Sequence, residues 1–117
     1  GLGILPWSPL AGGLLSGGSA SGRSSSKGVR DRRAERAEQI DAYEAFAAER
    51  GWAPAALGLA WVLHQPGVTG PIVGPRTVVQ LESAVSALDI ALTQDDLAVL
   101  DALFPGPGGQ APEAYAW

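Results

Sequence analysis

Two short apolar segments, separated by helix-forming sequence, constrain the fold of this chain more than any other feature. Residues 2–5 form an apolar run that ends at Pro6, and residues 68–74 combine apolar and β-branched residues with glycine and proline. Each pattern predicts a short buried strand that leads into a loop. With helices after each segment, the order strand, helices, strand, helix predicts a parallel sheet with right-handed crossover connections.

The sequence between and after these segments predicts about four helices. Residues 37–50 carry apolar side chains at helical spacing, and Gly51 follows as a residue that ends helices. Pro54 suits the first turn of a second helix, which extends to about residue 65. That helix is apolar around most of its circumference, so we expect it to be largely buried.

Two further helices and two irregular segments complete the prediction. The apolar spacing favours a third helix over residues 78–88, and a cap-like sequence at Thr93 starts a fourth helix that ends near residue 104. Residues 16–36 are rich in serine, glycine and arginine, and we expect them to form a mobile loop. Residues 105–117 hold glycine and proline at high density and should be irregular.

A pair of parallel strands does not make a complete sheet. Parallel strands need cover on both faces and a neighbour on each edge, so the predicted pair leaves open edges. We therefore expect the chain to be part of a larger α/β structure, or to self-associate through its open strand edges. Gly1 lies directly before an apolar strand, which favours the same interpretation.

Composition and charge exclude several classes of function. The hydrophobic content of 46% is too high for a disordered tail, and the net charge of −4 argues against nucleic-acid binding, which depends on clustered positive charge. Prolines and glycines interrupt the longest uncharged stretch, residues 1–22, so we expect no membrane-spanning helix. The absence of cysteine excludes disulfides and fits a cytoplasmic protein.

Three motifs, in order along the chain, resemble the aldo-keto reductase family. Residues 7–17, WSPLAGGLLSG, resemble the segment after strand seven of that family's barrel, and residues 56–63, ALGLAWVL, resemble its buried seventh helix. Residues 71–82, from PIVGPR to QLE, resemble strand eight and the start of the last barrel helix. The resemblance covers nearly all of residues 1–117 and implies the C-terminal portion of a (β/α)8 TIM barrel, with two short parallel strands and about four helices.

The resemblance also implies a cofactor site and an activity. Such barrels bind ligands at the carboxyl ends of their strands, and the loops after strands seven and eight often hold phosphate groups. The implied function is the C-terminal NADP(H)-binding portion of an enzyme that reduces small carbonyl compounds with NADPH, with this chain alone inactive. The cofactor-binding residues that it implies are Trp7, Ser8, Pro9, Leu10, Gly12, Leu14, Gly74, Arg76 and Gln80.

Individual residue types suit these roles. The flat indole of Trp7 offers a π face to the nicotinamide ring, and the Ser8 hydroxyl with glycine-flanked amides can approach the pyrophosphate. Arg76 precedes a predicted helix N-terminus and is expected to grip the 2′-phosphate of NADP, while Gln80 would contact the adenosine end. Alternatively, Trp7 is a core residue, Gly12 lies in an ordinary turn, and Arg76 is a surface residue at a helix start.

The sequence departs from the family pattern at two places. The family commonly has an acidic residue and then asparagine soon after the glutamine, where they hold the adenine amino group, and this chain has Ser83 and Ala84. The adenine contact would then depend on Glu82 or Ser83. A lysine usually follows the glycine at position 17, and Gly18 stands there instead.

The family's catalytic residues have no counterpart in this chain. The family uses an Asp, Tyr, Lys and His set from the first half of the barrel, whereas Tyr43 and Tyr115 lie in the wrong segments and Lys27 lies in the predicted loop. His64 ends the predicted buried helix, and we expect a helix C-terminal or core residue rather than a ligand. We therefore expect no catalytic residues and no metal ligands here.

Two segments keep alternative interpretations open. The basic cluster in the predicted loop could bring Arg23, Lys27 or Arg30 to the pyrophosphate, or it could be a solvated face interleaved with acidic residues. The tail, with Tyr115 and Trp117, could line a substrate pocket or pack on the outside of the barrel.

Three functions are compatible with the sequence alone. The chain is the C-terminal part of an NADPH-dependent carbonyl reductase, or a truncated non-catalytic module that binds nucleotide weakly or only self-associates. The third alternative is a small structural domain without a ligand, whose glycine-rich loops are only turns. The sequence does not identify the carbonyl substrate.

Overall fold

Five helices form the framework of the computed structural model, which describes residues 1–17 and 26–106. In chain order they are α1 (Lys27–Glu35), α2 (Ala37–Glu49), α3 (Pro54–Leu63), α4 (Val78–Ser86) and α5 (Gln94–Leu103). Short 3-10 turns occur at Ala11–Gly13 and at Ala87–Asp89, directly after α4. The four predicted helices are confirmed as α2 to α5, with ends that differ by a few residues.

Some sequence predictions fall outside the described residues. They concern residues 18–25 of the predicted mobile loop, with Arg23, and residues 107–117 of the tail, with Tyr115 and Trp117. The interpretations of these three side chains stay predictions.

The predicted strands pair in parallel, but they form no regular β-structure in the described residues. Ile4 makes an isolated parallel bridge with Val68, and Trp7 makes another with Ile72. At the second bridge, Ile72 N–H donates a hydrogen bond of 2.8 Å to the Pro6 carbonyl. Both segments contain proline, which has no N–H to donate, so the ladder of hydrogen bonds is interrupted. The parallel direction is confirmed, and the prediction of two complete short strands is wrong.

The main core lies between α2, α3 and α5. Its buried side chains include Tyr43 and Phe46 from α2, Leu57 from α3 and Leu100 from α5. The prediction that α3 is largely buried is confirmed for residues 56–60, all of which are buried. Full burial of a side chain such as Leu57 stabilises the fold by roughly 1.5 to 3 kcal/mol. This central helix also forms the floor of the cleft described below.

The predicted mobile loop contains a helix. α1 begins after Ser26, whose hydroxyl accepts a hydrogen bond of 3.4 Å from Val29 N–H. Val29 is the buried residue of this helix, and it packs with Leu14 and Ile40 in a second, smaller core. The loop prediction is therefore wrong for Lys27–Glu35. This segment has no apolar face that would predict a helix, and the helix is stabilised by its N-cap and by the burial of Val29.

A buried carboxylate anchors the start of α5. The predicted cap is confirmed, since Thr93 Oγ1 accepts a hydrogen bond from Asp96 N–H at 3.1 Å and Asp96 Oδ2 accepts one from Thr93 N–H at 3.0 Å. The Asp96 side chain is 1% exposed and forms an ion pair of 2.6 Å with Arg50, whose guanidinium lies over the rings of Phe46 and Trp52. The backbone hydrogen bond from Thr93 holds the pKa of Asp96 below its ordinary value, helped by the Thr93 side chain and the Arg50 charge and opposed by burial.

Several large apolar side chains are exposed. Two paired segments, residues 2–7 and 68–74, carry some of them: Leu2 is 94% exposed and Leu5 is 60% exposed in the first, and Ile72 is exposed in the second. Val78 and Leu88 are also exposed, at the two ends of α4 and its 3-10 turn. Among the described residues, no helix combines the length and apolar character needed to cross a membrane. Large apolar side chains left exposed in this way are candidates for contact with another protein surface.

Candidate functional site

The paired segments open onto a cleft at their carboxyl-terminal ends. Its volume of about 740 Å³ lies within the range of small-molecule sites. The lining residues come from the loop after Pro6, from the first part of α3, which forms the floor, from the segment around Ile72 and from the first part of α4. Eight of the nine residues predicted to bind cofactor line this cleft: Trp7, Ser8, Pro9, Leu10, Gly12, Gly74, Arg76 and Gln80.

Leu14, the ninth of these residues, does not line the cleft. Its side chain is buried in the second core, against Val29 of α1 and Ile40 of α2. The sequence does not predict α1, so it could not predict this packing partner. The structure places Leu14 where it fastens the cleft loop to α1 and α2.

The first wall of the cleft is a tight backbone turn. Ser8 and Ala11 have positive φ angles of 54° and 52°, although neither is glycine, and Gly12 follows at 68°. Hydrogen bonds of 3.0 Å close the turn, from Ala11 N–H to Ser8 O and from Gly13 N–H to Leu10 O. Left-handed backbone is unfavourable for residues with side chains and is concentrated at binding sites. Because Gly12 has no side chain, a ligand can approach the backbone at this wall.

Leu10 and α3 form the floor of the cleft, where they pack closely against each other. A Cβ added at Gly58 would lie 2.9 Å from Leu10 Cδ2 and 3.1 Å from the Tyr43 hydroxyl. That hydroxyl donates a hydrogen bond to the Pro54 carbonyl, and burial raises the pKa of Tyr43 well above its ordinary value. Tyr43 therefore acts as a structural hydrogen-bond donor in the core. The absent side chain of Gly58 sets how deeply Leu10 lies.

The second wall is the start of α4, with Arg76 directly before it. Thr77 Oγ1 accepts a hydrogen bond from Gln80 N–H at 3.2 Å, and Gln80 Oε1 accepts one from Arg76 N–H at 2.8 Å. The Arg76 guanidinium is exposed at the cleft and has no hydrogen bond or ion pair to the part of the chain that the structure describes. A free guanidinium next to a helix N-terminus suits an anionic ligand such as phosphate. Ser83 and Ala84, further along α4, also line the cleft.

α1 places a further positive charge beside the first wall, and no pattern in the sequence distinguishes it from the rest of the basic cluster. Arg32 Nη2 lies 3.5 Å from the position that a Cβ would take at Gly12, and Arg32 Nε donates to the Gly28 carbonyl at 3.3 Å. Lys27, a candidate for phosphate contact in the sequence analysis, instead forms an exposed ion pair of 2.7 Å with Asp31. Arg32 could not be selected from the basic cluster by sequence alone, because its position near Gly12 depends on α1.

His64 has a structural role at the end of α3. Its Nδ1 lies 2.8 Å from the Ala60 carbonyl, and its Nε2 accepts a hydrogen bond of 3.3 Å from Leu92 N–H. This network assigns the neutral tautomer with its proton on Nδ1. The prediction of a helix C-terminal residue is confirmed. Within the described ranges, no group of three or more His, Asp or Glu side chains is arranged to hold a metal ion.

Comparison with known proteins matches residues 1–104 to the Aldo/keto reductase family. The chain is 44% identical over 121 residues to the uncharacterized oxidoreductase YrpG of Bacillus subtilis, with all of this chain and 36% of that protein covered. It is 30% identical over 112 residues to an aldo-keto reductase of Fusarium vanettenii, with 89% of this chain and 30% of that protein covered. It is 32% identical over 111 residues to versiconal hemiacetal acetate reductase of Aspergillus parasiticus, with 86% and 32% covered. The chain therefore spans about a third of the length of these relatives.

Proposed function

Because the chain belongs to the aldo/keto reductase family and covers part of that family's barrel, we propose that it is the C-terminal NADP(H)-binding portion of a carbonyl reductase. In this proposal the paired segments are strands seven and eight of the barrel. Family members generally use NAD(P)H. The observation that carries the proposal is that two segments more than 60 residues apart, around Trp7 and around Arg76, line one cleft beyond the ends of the paired segments.

The residues of the cleft fit a nicotinamide dinucleotide. Trp7 is 70% exposed at one end of the paired segments, where an indole face can stack on a flat ring. The turn at Gly12 leaves backbone open to a pyrophosphate, and Arg76 offers a guanidinium to a 2′-phosphate. When bound, the nicotinamide would supply the hydride for carbonyl reduction. The residues described here bind and orient the cofactor, and the proton donor comes from another part of the family domain.

A titration of the 117-residue chain with NADPH tests this function. We expect saturable quenching of tryptophan fluorescence, because the nicotinamide would stack on Trp7. The chain has four tryptophans, so Trp7→Phe is the matched control, and it should lose most of the quenching while calorimetry still detects binding. An added aromatic aldehyde should cause no NADPH consumption by repurified protein. The absence of both quenching and binding heat at millimolar NADPH would contradict the proposal.

Self-association is the second candidate function, and the exposed apolar side chains of the paired segments favour it. Leu2 and Leu5 expose most of their surface, and removing apolar area from water is favourable by roughly 25 cal/mol per Å². In this candidate function, the backbone of the paired segments, which makes only two isolated bridges within the described residues, pairs with the backbone of a second copy.

Sedimentation velocity over a range of protein concentrations tests this candidate. We expect the weight-average mass to rise with concentration, and Leu5→Lys to shift the distribution toward monomer. Val99→Lys changes an exposed apolar residue of α5 in the same way and should leave the distribution unchanged. A compact monomer at the highest concentration, with a cooperative thermal transition, would exclude self-association.

A further inference from the structure

Gln80 makes two hydrogen bonds that fix the junction between the second wall and α4. Its backbone N–H donates to Thr77 Oγ1 at 3.2 Å, as expected for the third residue of a capped helix. Its side-chain Oε1 accepts a hydrogen bond of 2.8 Å from the backbone N–H of Arg76, one residue before the cap. In the usual capping box the corresponding side chain bonds to the cap residue itself, so this bond extends the capped region outward to Arg76.

The segment that carries Arg76 has few other contacts. Residues 72–79 are exposed, and a Cβ added at Gly74 would meet nothing within 4 Å. Pro75 restricts its own backbone but has no N–H to donate. Within the described residues, the bond to Gln80 is the hydrogen bond that joins Arg76 to α4, in addition to the peptide link through Thr77.

We propose that Gln80 is a positioning residue, which acts on the nucleotide by holding Arg76 at the cleft rather than by its own contact with adenosine. This inference rests on the proposed NADP(H) function. The physical reason is a population effect: if the segment samples several conformations, only the fraction that presents Arg76 to the cleft binds the 2′-phosphate tightly. The Gln80 side chain raises the fraction of chains that present Arg76 to the cleft, because its amide oxygen accepts a hydrogen bond from the Arg76 backbone.

Gln80→Met removes the acceptor oxygen and keeps the length of the side chain. We expect it to weaken NADPH binding roughly 3- to 10-fold, which corresponds to the loss of one ordinary hydrogen bond, and to leave NADH binding nearly unchanged. Gln65→Met is the matched control, because Gln65 also bonds to a backbone group, the Trp61 carbonyl, but does not line the cleft. Its effect on both nucleotides should be small.

A double-mutant cycle with Arg76→Ala separates positioning from direct contact. If Gln80 acts through Arg76, Gln80→Met should have no further effect on NADPH binding once Arg76 is alanine. A direct contact with adenosine would instead weaken NADPH and NADH equally and would persist in the Arg76→Ala background, and this result would overturn the inference. Equal losses of NADPH and NADH on Arg76→Ala alone would overturn the proposed function instead.

Amide hydrogen exchange tests the same inference without any nucleotide. We expect the Arg76 amide to exchange several-fold faster in Gln80→Met than in the unchanged chain. The Leu81 amide, which donates to the Thr77 carbonyl at 3.1 Å, serves as the internal reference and should keep its protection. Equal exchange rates for Arg76 in the two proteins would overturn the positioning role, and loss of protection at both amides would show that Gln80 only stabilises the helix.

Discussion

Replacing Arg76 with alanine is expected to weaken NADPH binding by roughly 10- to 150-fold and to leave NADH binding almost unchanged, since a hydrogen bond to a charged group contributes about 1.5 to 3 kcal/mol. The difference arises because only NADPH carries the 2′-phosphate that the exposed guanidinium would grip. Calorimetric titration of both nucleotides against both proteins measures it. Raising the salt concentration should reduce the NADPH preference of the unchanged chain, because the contact is exposed and screened.

Two further substitutions separate the charge of Arg76 from its geometry and from the net charge of the chain. Arg76→Lys keeps the charge but loses the planar fork, so we expect an intermediate loss of NADPH affinity. Arg36→Ala removes one positive charge at the end of α1, at a position that does not line the cleft, and should change neither affinity. Equal losses of both nucleotides on Arg76→Ala would exclude a 2′-phosphate contact.

Replacing Asp96 with alanine is expected to lower the free energy of unfolding by about 2 to 4 kcal/mol, which is among the larger effects of single substitutions. The change removes the ion pair to Arg50 and half of the capping box, and it leaves the Thr93 N–H without its acceptor. Asp95→Ala is the matched control, because Asp95 is exposed in the same first turn and contributes mainly its charge near the helix N-terminus. That control should cost less than about 1 kcal/mol. Urea unfolding at one protein concentration compares the three proteins, and equal losses for the two variants would show that only helix charge matters.

The same carboxylate gives a pH dependence with a definite sign. Because the pKa of Asp96 is lowered in the folded chain, its contribution to stability is fully present above the ordinary carboxyl pKa of about 3.9. It is lost as the pH falls further, through the lower pKa of the folded state. The difference in stability between the unchanged chain and Asp96→Ala should therefore shrink below about pH 4. A difference that stays constant to pH 2 would mean that the Asp96 charge contributes nothing.

Helices with periodic apolar residues and recognisable ends could be predicted from the sequence. Pro54 at the first turn of α3 and Thr93 at the cap of α5 mark their helices because the chemistry is local. α1 could not be predicted in this way. Its one buried side chain, Val29, is held by partners from two other elements, and no local pattern reports such a contact.

The arrangement of the candidate site could be predicted from the sequence where it depends on chain order, and could not be predicted where it depends on packing. Trp7 and Arg76 line one cleft because Trp7 lies at the carboxyl end of one of two segments that pair in parallel and Arg76 follows the other, and the order of elements already implies that arrangement. The burial of Leu14 and the approach of Arg32 to Gly12 both depend on α1. The paired segments themselves are shorter than predicted, since prolines interrupt their hydrogen bonds.

The close approach of Leu10 to Gly58 couples a substitution in the core to the shape of the cleft. A single methyl group added at Gly58 would meet Leu10 on one side and the hydrogen-bonded Tyr43 hydroxyl on the other, and Leu10 is the partner whose flexible end can move. A substitution at Gly58 would therefore move Leu10 and change the shape of the cleft, although Gly58 itself does not line the cleft. We expect the two positions to covary among relatives, with a residue smaller than leucine at position 10 wherever position 58 carries a side chain. An alignment in which leucine and alanine occur together at these positions as often as their separate frequencies predict would contradict this expectation.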